Sequence, residues 1–434
     1  MRYLKYLRSW INLFPDTAYT NYFGVDKLPL FKNILVNHPT LVARILRTNH
    51  KIYPKHRFVY WLLKPLIGDA AFSLSGDDWV ASRLGISAAY TAINSHIFLP
   101  RVFSACERSI SRIAHDAKTN NTVEISQHLN FYTADVIIRS LFGGQVDEDD
   151  CRMIGELFIR YQSKAGWCLP LALMGIPTWL LQPFLYSDAH KIRRWLSDLM
   201  HDYSPTKNVT DIYSLLQSDS KPDHHILDQT CMFFLAGHET TAIALSFSLY
   251  LLGANLSTQE DVFQEISAHC NCQERSQLTT ETLDQLLLTK AVFMEALRLY
   301  PPLPFLLRET SAETSLAGVR CPVKTMINIS PWTIHRHQKI WECPEEFNPH
   351  RFLSLQQETP CNFIPFGYGP RTCPGAQFAI YESLTFLVLF LSRWRVKADP
   401  QYPPPVSGRL TLRAVNGVPL FLSERNSALT DTDP

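Results

Sequence analysis

A ten-residue segment near the end of the chain, Phe366 to Gly375, constrains the fold more than any other feature of the sequence. It reads F-G-Y-G-P-R-T-C-P-G and leads directly into a strongly apolar stretch. Two glycines two positions apart permit a tight loop with backbone conformations that are closed to other residues. We predict that Cys373 lies at the start of a helix, with Pro374 at its first position, where a missing N–H costs nothing.

The position of Cys373 predicts a reactive sulfur. The positive end of the following helix and Arg371, two residues upstream, would stabilise a thiolate there. A single pre-ionised sulfur suits the axial ligation of one metal ion. The alternative for a lone cysteine is a small buried hydrophobe in a glycine-rich turn.

The composition excludes several classes of protein. The chain has 41 Lys plus Arg against 40 Asp plus Glu, with no long run of like charges, which argues against a nucleic-acid partner. With 46% hydrophobic residues it has enough apolar surface to form a large ordered globule. The 10 cysteines form no even lattice, which indicates free thiols in a reducing compartment. Cys270 and Cys272 supply at most half of a zinc site, since four ligands are normally needed.

The sequence contains no segment typical of a secretory signal or a transmembrane anchor. The longest apolar stretch, Met232 to Gly253, carries His238 and Glu239, so a buried helix of a soluble protein fits better. We therefore expect a cytoplasmic protein. Apolar and basic residues alternate at helical spacing in residues 1–15, which leaves two interpretations: a helix docked on the protein's own surface, which we favour, or a membrane-surface helix.

Long helical patterns, few alternating strands and no repeat or linker favour one mostly helical unit across residues 1–434. Within it, residues 1–33 are expected to form an N-terminal helix and lead-in, and residues 423–434 a disordered tail. Periodicity predicts helices over Asn121 to Phe142 and Asp228 to Gly253. A shift to Val, Ile and Thr between residues 317 and 331 predicts short strands.

An acid beside a hydroxyl, in the middle of the second of these helices, is a further functional signal. The segment Ala236 to Thr241 reads A-G-H-E-T-T within an otherwise apolar stretch. Burying such a pair is costly, and burial of this kind usually marks function. The alternative is that Thr240 bonds back to the Ala236 carbonyl while Glu239 points to solvent.

These two segments resemble signatures of the cytochromes P450, which are haem-thiolate monooxygenases. Residues 366–375 match every fixed position of F-G-x-G-x-R-x-C-x-G, and residues 236–241 resemble A-G-x-[DE]-T-T. The resemblance implies that Cys373 is the axial ligand of the iron of haem b and that Arg371 pairs with a haem propionate. The other haem contacts that it implies are Trp79, Arg83, Ala236, Arg308, Phe366, Gly367 and Gly375.

Three of these contacts lie outside the two signature segments, at positions that also resemble the family. Trp79 and Arg83 lie one helical turn apart and resemble W-x-x-x-R, in which an indole N–H and a guanidinium contact a propionate. Many members carry a second arginine where this chain has Leu84. Arg308 stands where many members place another propionate-binding arginine, and its alternative is a surface arginine at the start of a strand.

A last segment resembles the Glu-Arg-Arg triad of the family. Glu295 and Arg298 form E-x-x-R, whose spacing places both side chains on one helix face as an ion pair. Arg351, about fifty residues later, would be the third member, although His350 departs from the common P-E-R-F pattern. The role implied for the triad is structural.

The resemblance covers about residues 34–422 and implies a single mainly helical, triangular-prism fold with a small β region. It implies insertion of one oxygen atom from O2 into a C–H or C=C bond of a lipophilic small molecule, such as a terpenoid, a fatty acyl compound or another secondary-metabolite intermediate. Glu239 and Thr240 would deliver the protons for O–O cleavage. The expected substrate pocket includes Phe233, Phe234, Phe305 and Leu306.

Electrons for this reaction are expected from a separate protein. The chain carries no dinucleotide fingerprint and no clustered cysteines for an iron–sulfur centre, so a ferredoxin with its reductase, or a similar donor, is the expected partner. Two alternatives stay open: an oxygen-independent haem-thiolate isomerase or dehydratase, and a non-catalytic haem-binding sensor. The pairing of Glu239 with Thr240 argues against both.

Overall fold

Helices dominate the part of the chain that the computed structural model describes. That part comprises residues 9–27, 32–92, 95–143, 148–203, 211–218, 222–270, 278–354, 361–399 and 403–425. The α-helices are α1 (Pro39–Ala43), α2 (Arg57–Ile67), α3 (Gly76–Ala92), α4 (Ser95–Thr119), α5 (Ile125–Phe142), α6 (Glu148–Leu173), α7 (Thr178–Asp202), α8 (Ile212–Ser218), α9 (Asp223–Ala254), α10 (Leu256–His269), α11 (Thr280–Gln285), α12 (Leu287–Leu299), α13 (Pro331–Ile334), α14 (Arg351–Ser354) and α15 (Ala376–Leu391).

Short strands form small sheets at the edges of this helical body. They are β1 (Phe23–Lys27), β2 (Lys32–Val36), β3 (Val123–Glu124), β4 (Leu306–Glu309), β5 (Thr314–Leu316), β6 (Val319–Cys321), β7 (Met326–Ile329), β8 (Trp394–Lys397), β9 (Val406–Gly408), β10 (Leu412–Ala414) and β11 (Pro419–Glu424). The largest described sheet has the order β1-β2-β7-β4, with β2 and β7 parallel. The predicted fold class, mainly helical with a small β region, is confirmed.

Helix α9 crosses the core and positions the candidate site. It packs against α5, α12, α2, α7 and α15. Its approach to α5 is close: a Cβ added at Gly237 would lie 2.9 Å from Cδ1 of Ile137. The helix begins at Asp223, five residues before the predicted start at Asp228. Pro222 precedes the helix and Asp223 lies in its first turn, where a negative charge is favourable.

The chain ends differ from their predicted description. Residues 1–8 lie outside the described residues, but Trp10–Leu13 forms a 3₁₀ turn in which Trp10 and Ile11 are buried, and β1 follows within the predicted lead-in. At the other end, β11 pairs with β8 as far as Glu424, and the N–H of Arg425 donates to the carbonyl of Arg393 at 2.9 Å. The tail predicted to be disordered is therefore ordered over 423–425, while 426–434 lie outside the described residues.

No single helix among the described residues is both long and apolar enough to span a membrane. Helices α9 and α10 satisfy the criterion only as a pair, and they bend by 112° where they meet.

Candidate functional site

The segment 366–375 forms a tight loop that ends at the cysteine. The N–H of Cys373 donates to the carbonyl of Phe366 at 2.9 Å, which closes the loop. Gly367 and Gly369 have φ values of 75° and 76°, a region that favours glycine. A Cβ at Gly369 would lie 2.3 Å from the carbonyl oxygen of Leu46, so a side chain does not fit there. The two glycines therefore serve the turn, as the sequence predicts.

The Cys373 thiol is accessible at its surface but enclosed by protein atoms. Its residue is exposed by surface area, whereas burial is the main cause that raises its pKa. The residue therefore presents some surface, while the protein atoms around the thiol displace bulk water. Such a thiol is available to a bound group.

The prediction that the Cys373 sulfur is already ionised is wrong for the protein without a bound metal. The N–H of Gly375 and the charge of Arg83 lower the pKa of Cys373, but burial outweighs them and raises it. Helix α15 begins at Ala376 with Gly375 at its N-cap, so Pro374 is not its first residue. A metal would ionise the thiol on binding, since the thiolate is the form that ligates.

Arg371 is held by groups outside the cysteine loop. Its Nη2 donates to the carbonyl of Leu74 at 3.0 Å, and its guanidinium lies 4.3 Å from the ring centroid of Trp79. Its Nη1 is buried and has no hydrogen-bond partner among the described residues. Arg83, one turn after Trp79 on α3, donates from Nη2 to the carbonyl of Thr372 at 2.6 Å. Trp79, Arg83 and Arg371 therefore converge beside the cysteine loop.

Two more cations complete this group. Arg308 on β4 is 8% exposed, which excludes the surface arginine that was its alternative. Lys55, which sequence reasoning missed, forms a β-bridge with Arg308, and its Nζ donates to the carbonyl of Phe72 at 2.7 Å. No motif marks Lys55, because it is an isolated lysine before α2. We name Lys55, Arg83, Arg308 and Arg371 the cation cluster.

The cation cluster is electrostatically unbalanced. Burial, followed by Arg371, lowers the pKa of Arg308 to about 10, and burial, followed by Arg83, lowers the pKa of Arg371 to about 10. The pKa of Lys55 falls well below its usual value through burial and then through the three arginines. No carboxylate in the described part of the chain pairs with any of them. Like charges that are partly or fully withdrawn from water are costly, so the cluster fits a bound group that carries more than one negative charge.

The predicted acid and hydroxyl on α9 face different surroundings. Ala236 is exposed and Thr240, one turn later, is partly exposed, so both lie on the open side of the helix. The Thr240 Oγ1 donates to the Ala236 carbonyl at 2.7 Å, which is the back-bonding considered as the alternative. Glu239 is 2% exposed and does not point to solvent. Only half of that alternative therefore agrees with the structure.

The buried Glu239 carboxylate forms an ion pair with Arg413 of β10, whose side chain is partly exposed. The Nη2 of Arg413 also donates to Oε1 of Gln162 on α6 at 3.2 Å, and the Thr411 hydroxyl donates to the same oxygen at 3.0 Å. Burial raises the pKa of Glu239, while Arg413, Thr411 and Gln162 oppose this effect. Sequence reasoning missed these three partners, which no local pattern connects to the acid.

The three triad residues form one buried network. Glu295 and Arg298 are both 0% exposed, and the Arg298 Nε and Nη2 donate to the carboxylate of Glu295 at 2.7 and 2.8 Å. The Nε of Arg351 donates to Oε1 of Glu295 at 3.1 Å. Arg298 also donates to the carbonyls of His335, Pro344 and Glu346. The network ties α12 to the segment that precedes α14.

The four residues predicted to line the substrate pocket differ in their exposure. Phe233 and Phe234 are each 1% exposed, so they do not line an open groove. The ring of Phe233 lies 5.3 Å from that of Tyr90, and the ring of Phe234 lies 5.6 Å from that of Phe158. They pack between helices because α9 is enclosed on the sides that they occupy. Phe305 and Leu306 are partly exposed and remain candidates for the pocket.

A metal at Cys373 would need most of its ligands from a non-protein group. Among the described residues, no three His, Cys, Asp or Glu side chains form a cluster that could hold a metal ion. Cys270 is buried, and Cys272 lies outside the described residues. One accessible thiol and a nearby excess of positive charge fit an iron macrocycle that carries carboxylates.

Comparison with known proteins adds an independent finding. Residues 27–418 match the family described as Cytochrome P450. Cytochrome P450 4X1 of Rattus norvegicus is 29% identical over 404 residues, which cover 86% of this chain and 78% of that protein. Cytochrome P450 4A10 of Mus musculus is 26% identical over 447 residues, with 97% and 86% covered. Cyclooctat-9-en-7-ol 5-monooxygenase of Streptomyces melanosporofaciens is 29% identical over 383 residues, with 84% and 80% covered.

Proposed function

Because this chain belongs to the cytochrome P450 family, whose members bind haem b and act as monooxygenases on lipophilic molecules, we propose the following specific activity. The protein inserts one oxygen atom from O2 into a C–H or C=C bond of a terpenoid, a fatty acyl compound or a related lipophilic metabolite. A ferredoxin and its reductase, or a similar donor, supply the electrons. The family assignment confirms the predicted oxidoreductase class and the haem cofactor.

The observation that carries the proposal is the accessible Cys373 thiol beside the cation cluster. A thiol in a shaped loop provides one protein ligand, and four cations without an acid provide a place for two carboxylates. Haem b presents both features, an iron centre and a pair of propionates. When bound, haem supplies the one-electron chemistry that activates O2.

The chain's own residues would hold this group and orient it. The Sγ of Cys373 would bind its iron, and the cation cluster would hold its propionates, with Trp79 as a further partner. Arginine suits this task because its planar fork matches a carboxylate. Phe366, Gly367 and Gly375 shape the loop around the sulfur, and the triad Glu295, Arg298 and Arg351 braces the adjoining core.

Thr240 and Glu239 are assigned to proton handling on the other side of the site. The Thr240 hydroxyl hydrogen is engaged by the Ala236 carbonyl, which leaves its oxygen free to accept a hydrogen bond from water in the groove. Glu239 is the nearest acid in sequence and is buried, so it is shielded from bulk solvent. Together they would hold water and pass protons where O–O cleavage needs them.

We place the protein in the cytoplasm, with its N-terminal segment docked on its own surface. The burial of Trp10 and Ile11 supports docking, and Phe305 contacts the same segment, with 5.9 Å between its ring centroid and that of Trp10. Contact of residues 1–8 with a membrane surface is the alternative. Binding to vesicles of anionic lipid, compared with a variant that lacks these residues, distinguishes the two.

A carbon monoxide difference spectrum of the reduced protein tests the cofactor assignment. The red-shifted band of a thiolate-ligated haem is expected in the wild type and in Cys343→Ser, whose cysteine is exposed and free. It should be lost in Cys373→Ser. A band that survives in Cys373→Ser would eliminate Cys373 as the ligand.

A coupling measurement separates the monooxygenase from its alternatives. Lipophilic candidates are first titrated for a shift in spin state, and NAD(P)H consumption is then compared with product formed. Thr240→Ala is expected to divert electrons from product to hydrogen peroxide. Product formed without NAD(P)H would favour the isomerase or dehydratase, and binding with neither product nor electron uptake would favour the sensor. Full coupling in Thr240→Ala would refute the role assigned to Thr240.

A further inference from the structure

The buried acid on α9 is held by groups from two other parts of the chain. Arg413 belongs to β10 and Gln162 to α6, and the side chains of both contact Glu239. A second hydrogen bond, from Arg413 Nη1 to the carbonyl of Ile159 at 3.4 Å, ties the guanidinium to α6. Thr411 holds Gln162 from the same hairpin as Arg413. The guanidinium therefore has several fixed partners besides Glu239.

The two oxygens of the Glu239 carboxylate have different surroundings. Oε1 pairs with Arg413. Oε2 is buried and has no hydrogen-bond partner among the described residues. A buried carboxylate oxygen without a partner is costly, and it stays so only where the surrounding structure fixes the carboxylate. The arrangement leaves one oxygen held by a charge and the other enclosed without a hydrogen bond.

The neighbouring charged groups do not replace Arg413. His238, the residue before the acid, is fully buried, and burial followed by the charge of Arg413 lowers its pKa to about 3, so its ring is neutral. Arg409, on the same hairpin, stacks its guanidinium 4.5 Å from the ring centroid of Trp167. Within the described part of the chain, the positive charge that contacts Glu239 is that of Arg413.

We propose that Arg413 is a positioning residue for proton delivery. Its guanidinium holds Oε1 of Glu239 and so fixes the carboxylate, which takes a proton from water and returns it, with no net change in the acid. The inference rests on the proposed proton-handling role of Glu239. Gln162 and Thr411 act one step further out, because they orient the guanidinium.

The test compares single and double variants of the haem-loaded protein. NAD(P)H oxidation is driven by a ferredoxin and ferredoxin reductase in the presence of dodecanoic acid, and its rate is measured in H2O and D2O. Arg413→Met is expected to slow oxidation by about a hundredfold and to raise the solvent isotope effect, as Glu239→Gln does, at the lower end of the range for general acid–base catalysis. Arg413→Lys should recover part of the rate, because it keeps the charge.

The controls separate positioning from structure. Arg409→Met removes a charge from the same hairpin and should leave the rate and the isotope effect within about twofold of the wild type. All variants should keep the carbon monoxide band. If Arg413 acts through Glu239, the double variant should be no slower than Glu239→Gln, because the second loss has nothing left to remove.

The outcomes separate the positioning role of Arg413 from the proton-handling role of Glu239. An unchanged isotope effect in Arg413→Met, beside an altered one in Glu239→Gln, overturns the positioning role alone. Losses that add in the double variant also overturn it, because Arg413 would then act independently. An unchanged rate and isotope effect in Glu239→Gln instead refutes the proton-handling role itself.

Discussion

Removal of the Glu295 carboxylate is the perturbation for which the structure supports the most definite magnitude. Glu295→Ala leaves the Arg298 guanidinium at 0% exposure without its acid. The carboxylate also accepts from Arg351 at 3.1 Å and from the N–H of Asn348 at 2.9 Å. Breaking a buried ion pair by removing one partner costs about 3–5 kcal/mol. We expect the lower part of this range, because Arg298 keeps three carbonyl acceptors and Arg351 is 12% exposed and can turn to solvent.

The assay is urea unfolding of the haem-loaded protein, followed by tryptophan fluorescence. Trp341 reports locally, since the Arg298 guanidinium lies 5.2 Å from its ring centroid. The slope of free energy against urea is measured for each variant, because a midpoint shift reports stability only when that slope is unchanged. Glu295→Gln, which keeps an acceptor but loses the charge, should fall between the wild type and Glu295→Ala.

An exposed ion pair provides the matched control. Arg320 and Glu313 are joined at 2.6 Å, but their side chains are 77% and 57% exposed. Glu313→Ala should leave the unfolding midpoint unchanged, because solvent screens such a pair. If Glu295→Ala behaved like this control, the argument from burial would be wrong, and the triad would have no structural role of the size stated.

Three further expectations concern the site and its surroundings. Lys55→Met should release haem to apomyoglobin about tenfold faster than the wild type, since one charge-assisted contact is lost; with haem dimethyl ester, which lacks the carboxylates, the two proteins should behave alike. Gly369→Ala should lose the thiolate carbon monoxide band, because its Cβ would lie 2.3 Å from the Leu46 carbonyl oxygen. Gly76→Ala, at a similar positive φ of 67° with nothing within 4 Å, should keep the band. Burial raises the pKa of Glu382 well above its ordinary 4.5, so its contribution to stability is complete below pH 4.5 and is lost as the pH rises towards the folded pKa. Relative to the wild type, the free energy of unfolding of Glu382→Gln should therefore rise by up to about 1.4 kcal/mol for each pH unit between pH 4.5 and the folded pKa. Urea unfolding at several pH values measures this difference.

Local motifs predicted the parts of the site that depend on short spacing. Glu295 and Arg298 meet because they are one turn apart on α12, and Gly369 is required by the turn in which it lies. Thr240 bonds back to Ala236 for the same reason of helical geometry. For these residues, the contact partner lies within a few positions of the chain.

The residues that sequence reasoning missed depend on long-range packing. Lys55 reaches the cation cluster only because the chain before α2 pairs with β4. Arg413 meets Glu239 across 174 positions of the sequence, and nothing in the hairpin's own pattern indicates it. Phe233 was misplaced for a related reason: in a helix that is buried on most sides, apolar periodicity does not tell which face borders a groove.

The start of α15 illustrates a smaller failure with a physical cause. A proline after the cysteine predicts a helix from Pro374, but the N–H of Gly375 is directed to the Cys373 sulfur. The first helical bond then runs from the N–H of Ala379 to the carbonyl of Gly375 at 2.9 Å. The sulfur thus accepts a hydrogen bond from an N–H at the helix N-terminus that has no acceptor within the helix, which is a capping contact that propensity rules do not include.

The unbalanced charge of the cation cluster also bears on how the protein matures in a cell. Until haem binds, mutual repulsion opposes the approach of α3, β4 and the cysteine loop, so this corner should be the last to become rigid. Each tenfold rise in free haem above its dissociation constant then adds about 1.4 kcal/mol to the stability of the folded chain. Cells short of iron should accordingly contain less of the protein, through proteolysis of the open form rather than through reduced synthesis.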